Sequence, residues 1–518
     1  MTSRPVLSTA MLALLSLSGA PLAVASDCTA LEALQLPDTR ITLAEAVPAG
    51  SFMPPTAISV APPPEPGREG PPPPAGPLPL ENLPAFCRVA GVVAPAVEFE
   101  VWMPIDGWNG KFHGVGLAGY LGAINYTDMA SALRKGYATA STDAGHKSAG
   151  NETAWAVGNP QAVIDLGHRA HHEMTVRAKV AIEAHYGRGP EYSYFSGCSA
   201  GGWQALTEAQ RYPDDYDGIV SGGPALNVVH LHAASIWNVF QARIIRPESF
   251  AFLHERVIAA CDLNDGVADQ LVQNPAACAF DLESVQCKSA DMANCLTESE
   301  VKAFRNIYTG ARNAAGEQIY PGWPFTSESG LGFWANPVAF KFVSGTFRDL
   351  AYQGDTAWDP EKFDFDADVA KADALIGVHM NSDDPELRPF AKSGGKIIFY
   401  HGWDDALVPA TALIDYYERV VRTVGGPDPV ASTQAFARLF VAPGAGHCAV
   451  LPGPGPHQFD ALAALENWVE NGVAPDRIIA SNPKTGMKRP LCPWPQVARF
   501  TGRGDTNDPA SYSCSASP

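Results

Sequence analysis

The stretch YSYFSGCSAGGWQALTEAQR, residues 192–211, decides the fold. Its aromatic start, Tyr192 to Ser196, is typical of a buried strand, and Trp203 to Arg211 has the spacing of a helix. Between the two lies the pattern G-x-S-x-G, with Ser199 at its centre. Glycines on both sides permit a sharp strand-to-helix turn that exposes the serine side chain. Ser199 is therefore predicted to be an activated nucleophile, and a plain glycine-rich turn is the alternative interpretation.

The same alternation of strand and helix continues on both sides of this stretch. The run VEFEVWMP (97–104) alternates like a half-buried strand, and the segment AVIDLGHRAHHEMTVRAKVAIEAHYG (162–187) has helical spacing with a glycine stop. Further strands are predicted in KFHGVG, YATASTDAG, YDGIVSGG, GGKIIFYHG and FARLFVAP, and a further helix in FDALAALENWVENG. This pattern predicts a mostly parallel α/β sheet with helices on both faces.

Residues 228–392 interrupt the alternation. They are rich in Trp, Phe, Asp and Asn and hold four of the ten cysteines. We interpret them as a lid inserted into the α/β domain, because loops at strand ends often shape a pocket. The predicted division is a signal peptide (1–25), an N-terminal segment with a proline-rich linker (26–85), the first part of the α/β domain (86–227), the lid (228–392), and the second part of that domain with a disulfide-bonded C-terminal segment (393–518).

The N-terminal sequence and the net charge indicate where the protein is located and which kinds of partner it does not bind. Arg4, the short apolar run MLALLSLSG and the small residues Ala23-Val24-Ala25 predict a cleaved signal peptide, hence a secreted or periplasmic protein. The apolar run is too short to span a bilayer. The formal net charge of −19 disfavours nucleic acid and anionic membranes as partners. Nothing in the sequence determines the oligomeric state.

The cysteines point to the same oxidising compartment. Ten of them follow the signal peptide, and the even number predicts disulfides. A structural zinc site is disfavoured because no C-x-x-C pair exists. A bridge between Cys28 and Cys87 would pin the proline-rich excursion, and local pairs such as 261–278, 287–295 and 492–514 are the simplest guess. Counting alone does not settle the connectivity.

A serine hydroxyl needs a base to take its proton and a carboxylate to orient that base. Asp404 and Asp405 follow the strand KIIFYHG, and His447 follows the strand RLFVAP in GAGHC. Ser, Asp, His is the chain order of the α/β-hydrolase fold, and strand-end loops place the three at one edge of the sheet. We predict the triad Ser199, Asp405 and His447, with Asp404 as a solvated neighbour.

The oxyanion hole requires two backbone N–H groups. Ala200, directly after the nucleophile, is predicted to supply one, and the loop GVGLAG (114–119) the other, through Gly116 or Leu117. The remaining histidines are interpreted as structural: His146, His168, His171, His172 and His401. His168, His171 and Glu173 share one helix, but the absence of H-E-x-x-H spacing disfavours a metal there.

The segment CDLNDGVADQL (261–271) is dense in oxygen ligands around a glycine. Such ligands suit Ca²⁺ rather than zinc, although the spacing is not that of an EF-hand. We predict a structural calcium ion; a solvated acidic loop is the alternative. The predicted ligands are the carboxylates of Asp262, Asp265 and Asp269 and the carbonyls of Val267 and Leu271.

Taken together, these motifs make the chain from about residue 83 onward resemble the tannase and feruloyl esterase family of secreted serine esterases, which includes mono(2-hydroxyethyl) terephthalate hydrolase-like enzymes. The resemblance rests on WNGKF (108–112), STDAGH (141–146), GCSAGG (197–202), CDLNDGVAD (261–269), YHGWDD (400–405) and GAGHC (444–448). It implies an α/β-hydrolase fold with a large inserted lid that carries a calcium site. The loop GVGLAG departs from the family pattern, in which a further glycine is expected at Leu117 or Ala118.

The resemblance also implies residue roles. It assigns the same triad and calcium ligands and pairs the cysteine before the nucleophile with the one after the histidine, Cys198 with Cys448. The other implied disulfides are 28–87, 261–278, 287–295 and 492–514. Trp334, Phe347 and Arg348 are candidates for contacting an aromatic ring and a carboxylate of the substrate; core or surface positions are the alternative interpretation.

The leading hypothesis is therefore a secreted carboxylic ester hydrolase acting on a small aromatic ester of the feruloyl or galloyl type. A terephthalate monoester hydrolase or a generic aryl esterase is the alternative within the family. A peptidase on the same fold is a weaker alternative. A non-catalytic binding protein on a hydrolase scaffold would be expected to have lost a triad residue, and all three are present.

Overall fold

The computed structural model describes residues 27–54, 80–288, 294–449 and 453–516. The predicted signal peptide and most of the proline-rich linker lie outside the described residues.

The described residues form one large sheet and three small two-stranded sheets. The strands, in chain order, are β1 (Thr39–Val47), β2 (Phe86–Val93), β3 (Val97–Pro104), β4 (Lys111–Val115), β5 (Tyr120–Gly122), β6 (Ala138–Thr142), β7 (Ser148–Gly150), β8 (Tyr192–Cys198), β9 (Gly218–Gly222), β10 (Lys396–Gly402), β11 (Ala437–Ala442), β12 (Ile478–Ser481), β13 (Lys488–Leu491), β14 (Gln496–Phe500) and β15 (Tyr512–Ala516).

The large sheet has the order β1-β2-β3-β6-β4-β8-β9-β10-β11. The strands from β6 to β11 in this order are parallel to one another, whereas β1, β2 and β3 pair antiparallel and β3 pairs antiparallel with β6. The predicted mixed α/β architecture with a mostly parallel sheet is confirmed.

Helices surround the sheet. In chain order the α-helices are α1 (Tyr126–Arg134), α2 (Pro160–Ile164), α3 (Ala170–Tyr186), α4 (Ala200–Arg211), α5 (Val228–Ala242), α6 (Pro247–Cys261), α7 (Glu298–Thr309), α8 (Glu328–Leu331), α9 (Pro337–Gly345), α10 (Ala367–Ala372), α11 (Val378–Met380), α12 (Arg388–Lys392), α13 (Ala410–Val424), α14 (Pro429–Gln434) and α15 (Ala461–Asn471).

Both faces of the parallel strands are buried, which is why these strands read as apolar runs. Tyr194 and Phe195 are neighbours on β8 and point to opposite faces, since successive side chains of a strand alternate. Tyr194 joins an apolar cluster with Leu465 and Trp468 of α15. Phe195 joins the larger cluster that includes side chains of α3, α4 and α13. The sheet is therefore sandwiched between helices.

The register of the sheet places its strand ends together. Cys198 at the end of β8 pairs with Gly222, and Gly222 pairs with Tyr400 near the end of β10. Gly402 in turn pairs with Ala442 at the end of β11. Because these strands are parallel, the turns that follow β8, β10 and β11 lie at one edge. Those turns carry the three predicted catalytic residues.

The connection from β9 to β10, residues 223–395, contains helices α5 to α12. Within its described part no named strand occurs, although β9 and β10 are adjacent in the sheet. A long helical excursion thus leaves and re-enters the sheet between two neighbouring strands. We call residues 223–395 the β9–β10 connection.

The predicted helix over 162–187 is interrupted. A wide π-helical turn, Asp165–Arg169, separates α2 from α3. A Cβ on Gly167 in this turn would lie 2.6 Å from the carbonyl oxygen of His379, in the β9–β10 connection. Close approach of that backbone therefore requires glycine at position 167.

The N-terminal segment contributes a strand that the sequence pattern did not reveal. Strand β1 pairs along its length with β2 at the edge of the large sheet. Its side chains are mostly exposed or half-buried, so it lacks the apolar run of a central strand. Among the described residues, no helix has the length and apolar character needed to cross a membrane.

Candidate active site

Ser199 occupies the turn between β8 and α4. Its backbone has φ 63° and ψ −120°, in a region that non-glycine residues rarely adopt. Side chains at its neighbours would not fit, because a Cβ on Gly197 would lie 2.5 Å from the backbone of Gly201. The strained turn is held by the Ser199 N–H, which donates to the Gly222 carbonyl at 2.9 Å. This is the geometry that projects a nucleophile from a strand-to-helix turn.

Asp405 lies in the turn after β10 with 1% of its surface exposed. Its Oδ1 accepts hydrogen bonds from the backbone N–H groups of Leu407 and Val408, both at 2.9 Å. Its Oδ2 lies 2.6 Å from Nδ1 of His447 and 3.1 Å from Nε2 of His401. Burial would raise the pKa of Asp405, but the neighbouring His447 and His401 hold that pKa well below its usual range. Asp405 is therefore an ionised, fixed carboxylate.

His447 follows β11 and is 8% exposed. Because its Nδ1 faces Asp405, that nitrogen carries the proton, and Nε2 is the ring nitrogen left to act as a base. The contact between His447 and Asp405 joins the turn after β11 to the turn after β10 at the edge of the sheet.

A disulfide joins Cys198 to Cys448 with a Cα–Cα distance of 5.9 Å. Cys198 precedes Ser199 and Cys448 follows His447, so the bond ties the Ser199 turn to the His447 turn across 250 residues of sequence. Gly223 lies against this bond: its φ is +42°, and an added Cβ would be 3.4 Å from Sγ of Cys198 and 3.7 Å from Oδ2 of Asp405. The structure thus gathers the three predicted triad residues around one covalent link.

The predicted oxyanion donors differ in their availability. Ala200 is the first residue of α4, so its N–H belongs to the first turn, where amides have no acceptor within the helix. The Gly116 N–H, in contrast, donates to the Ser196 carbonyl at 3.0 Å, and the Leu117 N–H donates to Oε1 of Gln204 at 2.8 Å. The prediction of Gly116 as second donor is therefore not supported, because that amide is already used between β4 and β8.

Asp404 is not the solvated neighbour that the sequence pattern indicated. Its Oδ1 accepts a hydrogen bond from Oγ1 of Thr326 at 2.6 Å. Burial raises the pKa of Asp404 to about 7, against the lowering effect of that hydrogen bond. Asp404 binds the β9–β10 connection, whereas Asp405 binds His447.

The other histidines have separate surroundings. His146 contacts the carbonyls of Ala144 and Tyr120, and the ring of His171 is buried against Phe195. His168 contacts the Tyr212 hydroxyl at 2.7 Å. These contacts are consistent with the structural roles predicted for the three histidines. Glu173 forms ion pairs with Arg169 and Arg177. Among the described residues, it does not form a group with His168 and His171 close enough to share a metal ion.

His401, interpreted from the sequence as a structural histidine, contacts the predicted triad carboxylate. It is buried on β10, and its Nε2 lies 2.9 Å from the Val408 carbonyl as well as 3.1 Å from Asp405. It therefore shares with His447 the task of fixing the Asp405 carboxylate. The signal available in the sequence was the spacing of four residues between His401 and Asp405 in YHGWDD.

The three candidate substrate residues have structural contacts. Nε1 of Trp334 donates to the Ala406 carbonyl at 2.9 Å, directly after Asp405. Phe347 is fully buried and packs against Phe363, with ring centroids 4.6 Å apart. Arg348 pairs with Asp349 at 2.7 Å. Trp334 thus supports the Asp405 turn, and the other two stabilise the β9–β10 connection.

The candidate calcium loop follows α6. Oδ1 of Asp262 accepts hydrogen bonds from the N–H groups of Asp269 and Leu271, and Oδ1 of Asp265 accepts from Val267. Oδ2 of Asp265 and Oδ1 of Asp269 are buried without a hydrogen-bond partner in the described chain. Burial, together with the charges of Asp269 and Asp262, raises the pKa of Asp265 to about 6.

Two observations count against a cation bound by this loop in the arrangement described. Arg489 forms an ion pair with Oδ2 of Asp269 and so neutralises part of the charge. Among the described residues, the three aspartates do not each bring an oxygen within 4.8 Å of the other two. The unpartnered buried carboxylate oxygens nevertheless suit a hard cation, which would draw them together.

The remaining disulfides join Cys28 to Cys87, Cys261 to Cys278, Cys287 to Cys295 and Cys492 to Cys514. With the bond between Cys198 and Cys448, all ten cysteines are paired.

Comparisons with known proteins bear on this site. A family model described as tannase and feruloyl esterase matches residues 82–515. An esterase of Xanthomonas campestris pv. campestris is 34% identical over 98% of this chain and 95% of its own length. A mono(2-hydroxyethyl) terephthalate hydrolase of Piscinibacter sakaiensis is 34% identical over 84% of this chain and 86% of its own. The crystal structure of feruloyl esterase B from Aspergillus oryzae matches with a TM-score of 0.81 and 27% identity, covering 94% and 99% of the two chains.

Proposed function

Because this chain belongs to the tannase and feruloyl esterase family and is a carboxylic ester hydrolase, we propose that it cleaves aromatic acid esters through an acyl-enzyme on Ser199. The family resemblance noted in the sequence is confirmed. One observation carries the proposed mechanism: the 2.6 Å contact of His447 with Asp405, beside a disulfide that joins the Ser199 and His447 turns.

The proposed reaction has two halves. Oγ of Ser199 attacks the ester carbonyl while Nε2 of His447 takes the hydroxyl proton, and Asp405 stabilises the imidazolium that forms. The tetrahedral intermediate collapses, and His447 returns the proton to the departing alcohol. Water then attacks the acyl-enzyme with His447 as base, which releases the acid and restores the Ser199 hydroxyl.

Negative charge that develops on the carbonyl oxygen raises the activation energy of both acylation and deacylation, so hydrogen-bond donors that stabilise it lower that energy. The N–H of Ala200, at the start of α4, is proposed to donate to that oxygen, and the positive end of the helix dipole supports it. The Gly116 and Leu117 amides have other acceptors in this arrangement, so we assign no second donor.

The Cys198–Cys448 bond is proposed to fix the distance between nucleophile and base. Replacing both cysteines by alanine should lower kcat about 100-fold, because a misplacement of about 1 Å can cost that factor. The bond also closes a long loop, so its loss should cost on the order of 5 kcal/mol of stability. Turnover is therefore measured per folded molecule, well below the melting temperature.

The matched control removes the Cys287–Cys295 bond, which spans only 8 residues of sequence in the β9–β10 connection. That double alanine variant should keep the wild-type kcat. If the Cys198–Cys448 variant also kept it, the positioning role of the disulfide would be wrong.

The substrate class rests on the relatives. Their names specify feruloyl esters and mono(2-hydroxyethyl) terephthalate, both esters of aromatic acids. The test is kcat/KM of the purified protein for methyl ferulate, methyl gallate, mono(2-hydroxyethyl) terephthalate and methyl butyrate. We expect the feruloyl or galloyl ester to be preferred by at least about tenfold over the aliphatic ester, a difference of about 1.4 kcal/mol in transition-state binding. Equal or higher activity on methyl butyrate would contradict the aromatic preference.

The alternatives have their own signatures in the same assay. Preference for the terephthalate monoester would favour the alternative suggested by the Piscinibacter relative. Equal activity on all aromatic esters would indicate a generic aryl esterase.

The β9–β10 connection is proposed to act as the lid over the active site. Two of its tryptophans, Trp323 and Trp334, donate to the Ala406 carbonyl at 2.9 Å, beside the catalytic aspartate. We also propose that the protein is exported to the periplasm or the medium, because its five disulfides form and persist in oxidising compartments.

Calcium is proposed to bind in this connection, held by the carboxylates of Asp262, Asp265 and Asp269 and the carbonyls of Val267 and Leu271. The ion would neutralise the buried carboxylates and stabilise the fold. Chelation of Ca²⁺ should therefore lower the melting temperature of the wild type, by the equivalent of about 2.7 kcal/mol if Ca²⁺ is present at about 100 times its Kd.

The Asp265→Ala variant should show no such response to chelation. The control Glu255→Gln changes an exposed acid on α6, directly before the loop, and should respond like the wild type. An unchanged melting temperature of the wild type on chelation would rule out a stabilising ion here.

A further inference from the structure

A cluster of three ionisable side chains, one buried and two partly exposed, lies away from the triad, where two helices and a loop meet. His172 is on α3, Glu208 is on α4, and Asp215 follows α4 on the way to β9. One possible ligand atom from each of the three lies within 4.8 Å of the other two. Among the described residues, no other group of three or more His, Cys, Asp or Glu side chains meets this distance criterion.

Glu208 is the unusual member. It is 1% exposed, and its Oε2 has no hydrogen-bond partner among the described residues. A buried carboxylate must be neutralised by a proton, a cationic side chain or a metal ion. Lys179 is the nearby amine, but its Nζ donates to the backbone carbonyl of Asp215. Oε2 of Glu208 is therefore unpartnered, while the same carboxyl group forms a side-chain hydrogen bond with Asp215 of the cluster.

The other two side chains are already oriented. Nδ1 of His172 lies 2.6 Å from Oδ2 of Asp215. The ring of Tyr212 stacks on the His172 ring, with centroids 3.9 Å apart and planes inclined by 7°. This stacking fixes the imidazole plane against the loop, and the Tyr212 hydroxyl is in turn held by His168 at 2.7 Å. The cluster is therefore preorganised by contacts outside it.

The donor set identifies the class of ion. One imidazole nitrogen and two carboxylate oxygens suit a borderline divalent metal such as Zn²⁺, whereas Ca²⁺ takes six to eight oxygens. Tetrahedral zinc with bonds of about 2.0–2.2 Å holds its ligand atoms about 3.3–3.6 Å apart. Nδ1 of His172 and Oδ2 of Asp215, now 2.6 Å apart, would therefore separate by about 1 Å when the ion binds between them. His172 and Asp215 are partly exposed, which leaves a route for the ion and for a water ligand.

We propose that His172, Glu208 and Asp215 form a binding site for a single Zn²⁺ ion, separate from the active site and from the calcium loop. The ion neutralises the buried Glu208 carboxylate and joins α3, α4 and the loop before β9. Glu208 lies eight positions beyond the first residue of α4, about 12 Å along the helix axis. The ion therefore stabilises the helix that follows Ser199 and takes no part in the reaction.

The test is titration of the purified full chain with Zn²⁺ at neutral pH, in competition with a chromogenic chelator and with Ca²⁺ in excess. We expect one Zn²⁺ per chain, a raised melting temperature, and a visible spectrum of four-coordinate Co²⁺ when cobalt replaces zinc. The His172→Ala and Asp215→Asn variants should weaken Zn²⁺ binding at least about 100-fold, since each removes a ligand. His172 is partly exposed, so its variant should fold.

Asp214→Asn is the matched control, because Asp214 is exposed and adjacent to Asp215 but outside the cluster. It should bind Zn²⁺ like the wild type. The Glu208→Gln variant should lose binding while keeping the side-chain volume. Absence of stoichiometric Zn²⁺ in the wild type, or binding that His172→Ala leaves unchanged, would overturn the proposal and leave Glu208 neutralised by a proton.

Discussion

Replacing Ser199 by alanine should lower kcat for methyl ferulate about 10⁶-fold, the scale of loss seen when a triad nucleophile is removed. The variant keeps the fold, because the strained backbone at φ 63° is held by the hydrogen bond to Gly222 and by glycine neighbours rather than by the serine side chain. Residual hydrolysis should reflect binding and the oxyanion donor alone. The measurement is the initial rate at saturating ester, with circular dichroism to verify folding.

Ser196→Ala is the matched control for this variant. Ser196 lies on β8, three residues before the nucleophile, and its Oγ contacts Nε2 of His113 at 2.7 Å. Since that contact does not include the triad, the control should retain kcat within a few-fold. A Ser199→Ala protein with near wild-type turnover would contradict the proposed mechanism.

Replacing Asp405 by asparagine should lower kcat about 10⁴-fold with little change in KM. The amide cannot stabilise the His447 imidazolium, and it favours the tautomer of His447 that carries its proton on the wrong nitrogen. The depressed pKa of Asp405 keeps the wild-type carboxylate ionised across the working pH range. Its contribution to stability is therefore present above about pH 4 and is lost only as the pH falls further.

Asp404→Asn separates the two adjacent aspartates. Asp404 contacts Thr326 and has a pKa raised to about 7, so asparagine resembles its protonated form. This control should keep kcat within several-fold. If instead Asp404→Asn lost about 10⁴-fold and Asp405→Asn did not, the orienting carboxylate would be Asp404.

The sequence predicted the triad positions because they depend on strand ends, which apolar runs mark clearly. Strands β8, β10 and β11 are buried on both faces, so KIIFYHG and RLFVAP stand out, and the residue types after them suit the chemistry. The parallel order of these strands then brings Ser199, Asp405 and His447 to one edge. Short-range pattern and sheet topology were sufficient to bring these three residues to one edge, and their catalytic roles stay a prediction.

Features that depend on pairing or ring orientation were not predictable. The use of the Gly116 amide follows from its hydrogen bond to Ser196 across two strands, and no local pattern encodes it. Strand β1 was missed because its exposed edge lacks an apolar run. The cluster of His172, Glu208 and Asp215 joins three elements at no characteristic spacing, so only the packed structure reveals it.

Covalent labelling tests the central claim, that Ser199 is the nucleophile of this esterase, most directly. The protein is inactivated with an aryl phosphonate ester, which mimics the tetrahedral intermediate, and digested for peptide mass spectrometry. The account predicts one adduct per chain, on the peptide that contains Ser199, and none in Ser199→Ala. Complete inactivation with the adduct on any other residue would contradict it.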